Sequence, residues 1–482
     1  MKILFTHSYF LYFDNKQLKT QTPFPPLATL YAASVLRENG YDVKLADLQF
    51  SVSAEEIKQH IEDFKPDVFV IYDDSFNYLT KMCLTNMREA AFRMQQIAKE
   101  FQIPVIVSSS DATDHLEKYF SNNADYIIIG EAEQTLLELV NALKKTNAVD
   151  VSSINGLAYF SENKINKTSP RLVLKDLDEL PLPAWDLVNI KPYKKTWLNG
   201  HGYFSINFVT TRGCPYKCNW CAKPVYGNRY NSHSPQNIAK QIKDLQEKFG
   251  FTHIWFADDI FGLKPNWLKE FNEAIQTLKI KIRYNIQSRA DLLLDDENIK
   301  YLAQSGCEEV WMGAESGSQK ILDAMDKGTT IEQIKEATKL LKKHKVKPCF
   351  FLQFGYSGEI MEDIKKTILL VDELKPYDIG ISVSYPLPGT KFHERVKKDL
   401  IEKQNWKDSD DLHLMFNSSY KADFYRHLQR FVHYKFRTAQ SIELLKDKKF
   451  NKRMVLGPYY YFKQISLKKK LQTIEPDAGS LF

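Results

Sequence analysis

Three cysteines lie close together near the middle of the chain. Cys214, Cys218 and Cys221 are separated by three and then by two residues, within the segment Thr-Arg-Gly-Cys-Pro-Tyr-Lys-Cys-Asn-Trp-Cys. Thiolates are soft ligands that hold iron–sulfur clusters, and such clusters usually take four of them. Three thiolates on one short loop can each hold one corner of a [4Fe–4S] cube, which leaves the fourth iron open to a small molecule. The alternatives are three unrelated cysteines or a zinc site that lacks its fourth ligand.

The Cys-x-x-x-Cys-x-x-Cys spacing resembles the signature of the radical S-adenosylmethionine (radical SAM) superfamily. Arg212-Gly213 before the first cysteine and Pro215 after it also resemble the loop of that family. The resemblance implies that a reduced cluster at these cysteines binds SAM through its open iron. It also implies cleavage of SAM to methionine and a 5′-deoxyadenosyl radical, with Trp220 packed near the adenine.

Length and composition limit the class of protein. A chain of 482 residues with 43% hydrophobic and 13% aromatic residues predicts a well-packed globular protein of two or three domains. We expect no nucleic-acid partner, because the formal net charge of +6 is small for this length.

The remaining cysteines, Cys83, Cys307 and Cys349, are far apart, and we predict buried thiols rather than disulfides. A cytoplasmic location is expected, because a reducing compartment suits both such thiols and an oxygen-sensitive cluster. The N-terminus reads as a strand and not as a signal peptide. No apolar run reaches the roughly 20 residues that a bilayer requires.

Strand and helix signals alternate over residues 1–150. This alternation predicts an α/β fold with a parallel sheet that is covered by helices on both faces, in a doubly wound layout. Ligands of such sheets bind beyond the carboxyl ends of the strands. The predicted strands are 2–6, 42–45, 68–72, 105–107 and 126–129, and the predicted helices are 27–38, 54–64, 84–101 and 133–144.

This half of the chain is similar to the cobalamin-binding domain that precedes many radical SAM modules, on the basis of residues 25–33 and 126–131. The resemblance implies cobalamin contacts at Ser108, Ser109, Ser110, Gly130 and Glu131. The serines occupy a position where relatives often carry a glycine-rich turn. The alternative is a domain that serves as a scaffold or a substrate lid.

One known cobalamin motif is absent. The sequence has no Asp-x-His-x-x-Gly, so no histidine is positioned to become the lower axial ligand of cobalt. His115 lacks the required glycine, and we predict that it lies on a surface helix. Family members without that histidine can still hold cobalamin with its lower face unligated.

The rest of the chain divides into three segments. Residues 151–199 are predicted to be a linker, because the stretch 176–193 is rich in prolines that favour an extended path. Residues 200–395 predict a partial (β/α)6 barrel, in which active residues collect at the carboxyl ends of the strands. Residues 396–482 are predicted to be mostly helical. The predicted barrel strands are 205–210, 253–257, 283–287, 309–312, 347–354 and 378–384.

Candidate SAM-binding residues follow four of these strands. Asp258 and Asp259 resemble the second-strand motif that holds the SAM ammonium, and Ser288-Arg289 supplies a guanidinium for its carboxylate. Glu315 resembles the residue that contacts ribose or the methionine end, and Phe354-Gly355 would line the adenine site. Alternatively, Asp259 caps a helix and Arg289 forms a structural ion pair.

Two further patterns concern partners. Residues 202–230 and 256–263 resemble the radical SAM group that includes the anaerobic magnesium-protoporphyrin monomethyl ester cyclase. This resemblance constrains the cofactors of the protein more closely than its substrate. Residues 446–470 combine basic side chains with the aromatic run 459–462. They would rest on an anionic membrane or form a solvated helix with a packed aromatic anchor.

The leading hypothesis is a cobalamin-dependent radical SAM enzyme that methylates an unactivated carbon. Its cofactors would be a [4Fe–4S] cluster, SAM and cobalamin, and its electron donor a flavodoxin or ferredoxin. The substrate would be a small molecule with a large planar or apolar skeleton. The alternatives are an oxidative cyclase or rearranging enzyme without methyl transfer, and a non-catalytic cobalamin-binding sensor. The sequence names no catalytic side chain.

Overall fold

The computed structural model describes residues 1–82, 84–145, 150–221, 225–447 and 452–481. Cys83, predicted to be a buried thiol, lies outside these residues. The chain forms two compact units. The first comprises Met1–Tyr216, Ala222–Tyr284 and Asn405–Asp411, and the second comprises Lys217–Cys221, Asn285–Gln404 and Leu412–Phe482.

A seven-stranded sheet of order β2-β1-β3-β4-β5-β6-β7 forms the N-terminal part of the first unit. Strands β1 to β5 are parallel, which confirms the predicted doubly wound sheet, whereas β6 and β7 add an antiparallel hairpin. The hairpin lies within the segment predicted to be a linker. Its second strand, Lys-Ile-Asn-Lys, has no apolar run by which it could be found. The strands are β1 Lys2–Thr6, β2 Asp42–Leu45, β3 Val68–Tyr72, β4 Val105–Ser108, β5 Tyr126–Ile128, β6 Leu157–Ser161 and β7 Lys164–Lys167.

The inner parallel strands β1, β3 and β4 are largely apolar runs because helices cover both faces of such a sheet, whereas the edge strand β2 carries exposed Asp42 and Lys44. All five residues of β3 are buried, and its Phe69 and Ile71 pack in one core with Leu4, Val105 and Val107. The covering helices are Leu27–Glu38, Ile57–Phe64, Thr85–Glu100, Ser110–Asp114, Leu116–Ser121 and Glu133–Leu143.

The central strands follow the order β15-β14-β13-β12-β11-β8 in a six-stranded sheet. The pairs β8/β11, β13/β14 and β14/β15 are parallel, and the sheet confirms the predicted partial barrel. A short antiparallel pair, β9 Thr211–Arg212 and β10 Asn231–Ser232, was not predicted. The other strands are β8 Ser205–Phe208, β11 His253–Phe256, β12 Arg283–Ser288, β13 Cys307–Glu315, β14 Lys347–Phe354 and β15 Asp378–Val383.

Helices between these strands begin and end at recognisable residues. The Ser234 side chain caps the helix Pro235–Phe249, proline occupies its first position, and Gly250 ends it with a left-handed φ of 68°. The remaining helices of this region are Ile190–His201, Trp267–Thr277, Asp296–Ser305, Gln319–Ala324, Ile331–Lys343, Met361–Leu374 and Lys391–Val396.

The C-terminal region is helical, as predicted, although its long helix begins at Ala422 rather than near residue 412. It comprises Ala422–Lys446, Lys452–Val455 and Gly457–Ile474. No helix in the described ranges is long and apolar enough to cross a membrane. Cys307 and Cys349 are buried and unbridged, which agrees with the prediction for these thiols.

Candidate cofactor site

The first part of the cysteine loop belongs to the first unit. Gly213 precedes Cys214 with a φ of 80°, and a Cβ at this position would lie 2.0 Å from the Arg229 carbonyl oxygen. Only glycine therefore permits this path of the backbone. The Cys214 N–H donates to the Gly227 carbonyl at 3.3 Å, and the residue is 9% exposed.

Arg212, immediately before this glycine, lies in a buried network. Its guanidinium contacts Glu131 and donates to Glu133 at 2.6 Å, and all three side chains are at most 7% exposed. The Tyr226 ring lies 4.9 Å from the guanidinium carbon, and the Tyr31 ring lies 5.6 Å from it. Since both glutamates follow β5, this network fastens the start of the cysteine loop to the carboxyl edge of the N-terminal sheet.

Asp258 holds the same loop from another strand. Its carboxylate accepts from the N–H groups of Thr210 and Thr211 at 2.8 and 2.7 Å, and from their hydroxyls at 3.0 and 2.8 Å. Burial raises the pKa of Asp258 to about 7, although these four donors lower it. The side chain predicted to hold the SAM ammonium thus anchors the residues that lead to Cys214. Asp259 pairs with Lys81 at 3.1 Å.

The second part of the loop, Lys217–Cys221, belongs to the second unit, where Asn219 fixes it. The Asn219 side chain donates to the Ala324 carbonyl at 2.8 Å and accepts from the Tyr356 hydroxyl at 2.8 Å. Its N–H donates to the Met325 carbonyl, and its carbonyl accepts from the Phe392 N–H. With 3% exposure, Asn219 holds the backbone between Cys218 and Trp220 on both sides.

Arg289 lies beside Cys218. Its Nη1 is 3.7 Å from the Cys218 sulfur, and its other nitrogens donate to Asp291 at 2.9 and 3.2 Å and to the Lys327 carbonyl at 2.7 Å. The guanidinium is therefore both a structural ion pair and a positive charge next to a predicted cluster ligand. Ser288, 8% exposed, ends β12 one residue earlier.

Glu315 and Lys327 form a buried ion pair with 2.8 Å between Nζ and Oε1. Glu315 sits at an irregularity of β13 with a φ of 56°, a conformation that non-glycine residues rarely adopt. Burial lowers the pKa of Lys327, but Glu315 and the Cys218 thiol raise it, and it lies above its usual value. Lys327 was not predicted as a site residue, because a lysine outside a motif has no distinguishing signal in the sequence.

Two aromatic positions complete this part. The Trp220 indole Nε1 is buried without a hydrogen-bond acceptor in the described residues, and the Lys327 ammonium lies 6.0 Å from its ring. Phe354 is buried at the end of β14, and the Gly355 N–H donates to Glu359 at 2.7 Å. Burial raises the pKa of Glu359 to about 8. Buried N–H groups are usually hydrogen-bonded, so this indole is a candidate for contact with a bound ligand.

The N-terminal sheet offers a crevice where its strand order reverses between β1 and β3. Ser8, after β1, donates through its N–H and hydroxyl to Asp73, after β3, at 2.8 and 2.9 Å. Asp74 accepts from the Ala28 N–H at 3.1 Å, and burial raises its pKa to about 6. His7 does not point at an open site, because its Nε2 contacts Asp47 at 3.0 Å.

The predicted cobalamin residues have varied surroundings at this edge. Ser108, Ser109 and Ser110 are 7–9% exposed, and the Ser109 hydroxyl caps the following helix at the Ala112 N–H. Gly130 has a φ of 84°, and a Cβ at this position would lie 3.8 Å from the Val225 carbonyl oxygen, an ordinary van der Waals contact. Glu131 binds Arg212 and the Leu174 N–H, so its carboxylate has protein partners.

His115 differs from its predicted place on a surface helix. It lies at the junction of two short helices with a side chain only 13% exposed. Burial lowers its pKa to about 4, and its Nε2 stands 3.8 Å from Asp111, which pairs instead with Arg88 at 2.5 Å.

The donors at the cysteine loop fit an iron–sulfur cluster. Cys218 and Cys221 are partly exposed, Cys214 is at the margin of burial, and none of them forms a disulfide. No three His, Cys, Asp or Glu side chains in the described ranges surround one point as a single metal ion requires. A cube does not require such a point, because each thiolate binds a different iron.

Sequence profiles of two known families match this chain. The profile of the radical SAM superfamily matches residues 208–371, and that of the B12 binding domain matches residues 18–140. The first range contains the cysteine loop with Asp258, Arg289 and Glu315. The second contains the carboxyl edge with Ser108 and Glu131.

Several characterised and uncharacterised proteins resemble the chain over most of its length. An uncharacterized methyltransferase of Pyrococcus horikoshii is 28% identical over 80% of this chain and 82% of its own. The anaerobic magnesium-protoporphyrin IX monomethyl ester cyclase of Synechocystis is 27% identical over 67% of this chain, which spans 63% of that cyclase. The hopanoid C-3 methylase of Methylococcus capsulatus is 25% identical over 81% of this chain and 72% of its own.

Solved structures agree with this fold. OxsB, a cobalamin-dependent S-adenosylmethionine radical enzyme with aqua-cobalamin bound, superposes with a TM-score of 0.77 at 19% identity, covering 98% of this chain and 73% of its own. The radical SAM methyltransferase TsrM from Kitasatospora setae, with cobalamin and a [4Fe–4S] cluster bound, gives 0.67 at 17% identity over 82% of this chain and 74% of its own. The chain thus combines a radical SAM domain with a B12-binding domain, and the cofactors that these two domains imply are a [4Fe–4S] cluster, SAM and cobalamin.

Proposed function

We propose that this enzyme transfers the methyl group of SAM, by way of cobalamin, to an unactivated carbon of a small molecule. The observation that carries the proposal is the Arg212 network, which joins the residue before Gly213-Cys214 to the glutamates that follow β5. The start of the cysteine loop, through Cys214, and the edge expected to bind cobalamin are thereby held together within the first compact unit. Such an arrangement suits a reaction in which both cofactors act on one substrate.

Cys214, Cys218 and Cys221 are the proposed cluster ligands. When bound, the cluster and SAM supply a primary carbon radical that abstracts hydrogen, and cobalamin supplies the methyl group. The chain's own contribution is to hold the thiols. Asp258 fixes the backbone before Cys214, and Asn219 fixes the backbone after Cys218. Arg289 places positive charge beside Cys218.

The Glu315–Lys327 pair is proposed to bind the methionine end of SAM. An amino acid end carries an ammonium and a carboxylate, and a buried carboxylate–ammonium pair offers each of them an opposite charge. Arg289 is less suited to this role because its nitrogens already contact Asp291, Lys327 and Cys218. The unsatisfied Trp220 indole, near Lys327, supports an adjoining contact with the nucleoside.

The carboxyl edge of β1, β3, β4 and β5 is proposed to hold cobalamin. The left-handed turn at Gly130 and the crevice between β1 and β3 suit a large flat ligand. His7 and His115 both have buried surroundings, and His7 pairs with Asp47. We therefore assign no histidine to cobalt, which leaves the corrin held by contacts around its rim.

The proposed substrate is a small molecule with a large planar or apolar skeleton. Relatives named for magnesium-protoporphyrin, bacteriochlorophyllide and hopanoid compounds support this class. A low-potential flavodoxin or ferredoxin is the proposed electron donor, and the cytoplasm is the proposed location, because an exposed cluster needs reducing conditions.

The decisive experiment supplies SAM with a deuterated methyl group. Anaerobically reconstituted protein, loaded with cobalamin, is reduced and incubated with a low-molecular-weight cell extract, and products are analysed by mass spectrometry. Deuterated methyl in a product, together with 5′-deoxyadenosine, supports the proposal. The triple variant Cys214→Ala/Cys218→Ala/Cys221→Ala should give neither product.

An oxidative cyclase is the second candidate, because three cyclases from different organisms are 23–27% identical to the chain. It predicts 5′-deoxyadenosine without transfer of label. If an intact cluster cleaves no SAM in any extract, both enzymatic proposals fail and a sensory role takes their place.

A further inference from the structure

The two long C-terminal helices form a hairpin whose tip carries exposed apolar side chains. The Ser441 hydroxyl donates to the Arg453 carbonyl at 2.8 Å, and a Cβ on Gly457 would lie 3.0 Å from the Ser441 Cβ. Ile442, Leu445 and Val455 therefore lie on the loop side of this contact. They are 49, 63 and 69% exposed.

Aromatic side chains continue this surface along the helix Gly457–Ile474. Tyr459, Tyr461 and Phe462 are 48, 51 and 69% exposed. Tyr461 and Phe462 are not the packed anchor that the aromatic run suggested, whereas the half-exposed Tyr459 ring lies 6.0 Å from the Tyr434 ring. The buried residues of this helix are Leu467 and Leu471. Six of the seventeen exposed large apolar side chains in the described ranges thus fall between residues 442 and 462. Such a concentration marks an interaction surface.

Positive charge accompanies the aromatics. Residues 452–474 contain six basic side chains and no acidic one, a formal charge of +6 that equals the net charge of the whole chain. Phe462 and Lys469 are seven residues apart, so they lie on the same face of the helix two turns from each other. Both are exposed, as is Lys470.

We propose that this hairpin tip, defined by Ile442, Leu445, Val455, Tyr459, Tyr461 and Phe462 with Lys469 and Lys470, docks on the surface of an anionic lipid bilayer. Tyrosine and phenylalanine rings enter the interfacial layer, and lysines are attracted to acidic headgroups. An acidic protein would neutralise the lysines but would leave the apolar side chains of the hairpin tip exposed to water. An anionic bilayer both neutralises the lysines and covers the apolar side chains. A membrane-bound enzyme would also meet an apolar substrate where it accumulates, a consequence that rests on the proposed function.

Vesicle binding tests the proposal without any turnover, so its failure is distinguishable from failure of the proposed function. The full reconstituted chain is sedimented with vesicles of phosphatidylcholine alone and of phosphatidylcholine with phosphatidylglycerol, at low and high salt. We expect binding to the mixed vesicles and its loss in high salt. Lys469→Glu/Lys470→Glu should lower partitioning at least roughly 30-fold, at about fivefold for each lysine charge removed, because each added glutamate also repels the acidic headgroups. Tyr459→Ser/Phe462→Ser should lower it by about tenfold or more.

The β6–β7 hairpin provides matched controls, because it carries an exposed Phe160 and two exposed lysines. Phe160→Ser and Lys164→Glu/Lys167→Glu make the same chemical changes and should leave binding unchanged. Equal loss in these controls, or equal binding to both vesicle types, would overturn the proposal. Self-association abolished by Phe462→Ser would assign the tip to a second copy instead. Flavodoxin binding abolished by the lysine reversals, without vesicle binding, would assign it to the electron donor.

Discussion

Removing the Arg212 guanidinium tests the link between the cysteine loop and the N-terminal sheet. The variant Arg212→Gln leaves Glu131 and Glu133 buried without the cation that contacts both. Breaking a buried pair from one side costs about 3–5 kcal/mol, because an uncompensated charge stays in the interior. The loss of the guanidinium's ring contacts with Tyr226 and Tyr31 adds to this.

The loss should depend on pH in a defined direction. Burial raises the pKa of Glu131 even beside Arg212, and removing the cation raises it further. A carboxyl with a higher pKa in the folded than in the unfolded state lowers stability as pH rises. The stability deficit of Arg212→Gln should therefore be smallest below pH about 4 and grow towards neutrality.

The assay is urea unfolding of the cluster-free protein, followed by tryptophan fluorescence at several pH values, with iron content measured after reconstitution. Arg93→Gln is the control, because Arg93 pairs with Glu55 at the surface and its loss should leave the unfolding midpoint almost unchanged. The triple variant Arg212→Gln/Glu131→Gln/Glu133→Gln removes the stranded charges and should recover much of the stability. Wild-type stability of Arg212→Gln at neutral pH would refute the reasoning, and so would a triple variant as unstable as the single one.

Three further outcomes are expected. Alanine at Cys214, Cys218 and Cys221 should abolish iron–sulfur absorption and SAM cleavage and leave the circular dichroism spectrum unchanged. The control Cys349→Ala should retain the absorption. A redox-active cluster in the triple variant would contradict the ligand assignment. Lys327→Met should weaken SAM binding by about tenfold or more, because it removes one charge of the buried pair. Calorimetry measures the affinity, and the iron content should stay constant. Unchanged affinity would place SAM elsewhere. Glu359→Gln should raise the urea midpoint at pH 7, with a gain that shrinks towards pH 5. Burial raises the pKa of Glu359 to about 8, so the wild-type carboxyl resists ionisation in the folded protein, and this cost is removed with the carboxyl. A gain independent of pH would show that the charge is not the cause.

The elements of the sheets were predictable because their signals are local. β3 is a short apolar run, as a strand covered on both faces must be, and the helix Pro235–Phe249 is bounded by serine, proline and glycine. The second strand of the β6–β7 hairpin escaped prediction because its residues, Lys-Ile-Asn-Lys, are mostly polar and pair only at the edge of the sheet, and β6 was placed in the linker with it. The same limit explains β9 and β10, which are two residues long.

The side chains that position the site were harder to predict, because their roles depend on partners distant in sequence. Asp258 was noticed for its place after a strand, yet it binds the backbone 47 and 48 residues earlier. Glu131 was assigned to cobalamin by resemblance, whereas its nearest cation is Arg212, 81 residues away. A sequence motif indicates which residues bind a cofactor more readily than it indicates which residues hold the motif in position.

Two positioning residues differ in burial from two of the three proposed cluster ligands. Arg212 and Asn219 are buried and hydrogen-bonded on several sides, whereas Cys218 and Cys221 are partly exposed. Ligands must stay accessible to a cluster, so their loop cannot be stabilised by burying them. The loop is instead stabilised by the residues between and before the cysteines, where a charged or amide side chain binds the backbone on the side that faces the protein. Substitution of these residues should therefore loosen the cluster without removing any of its ligands.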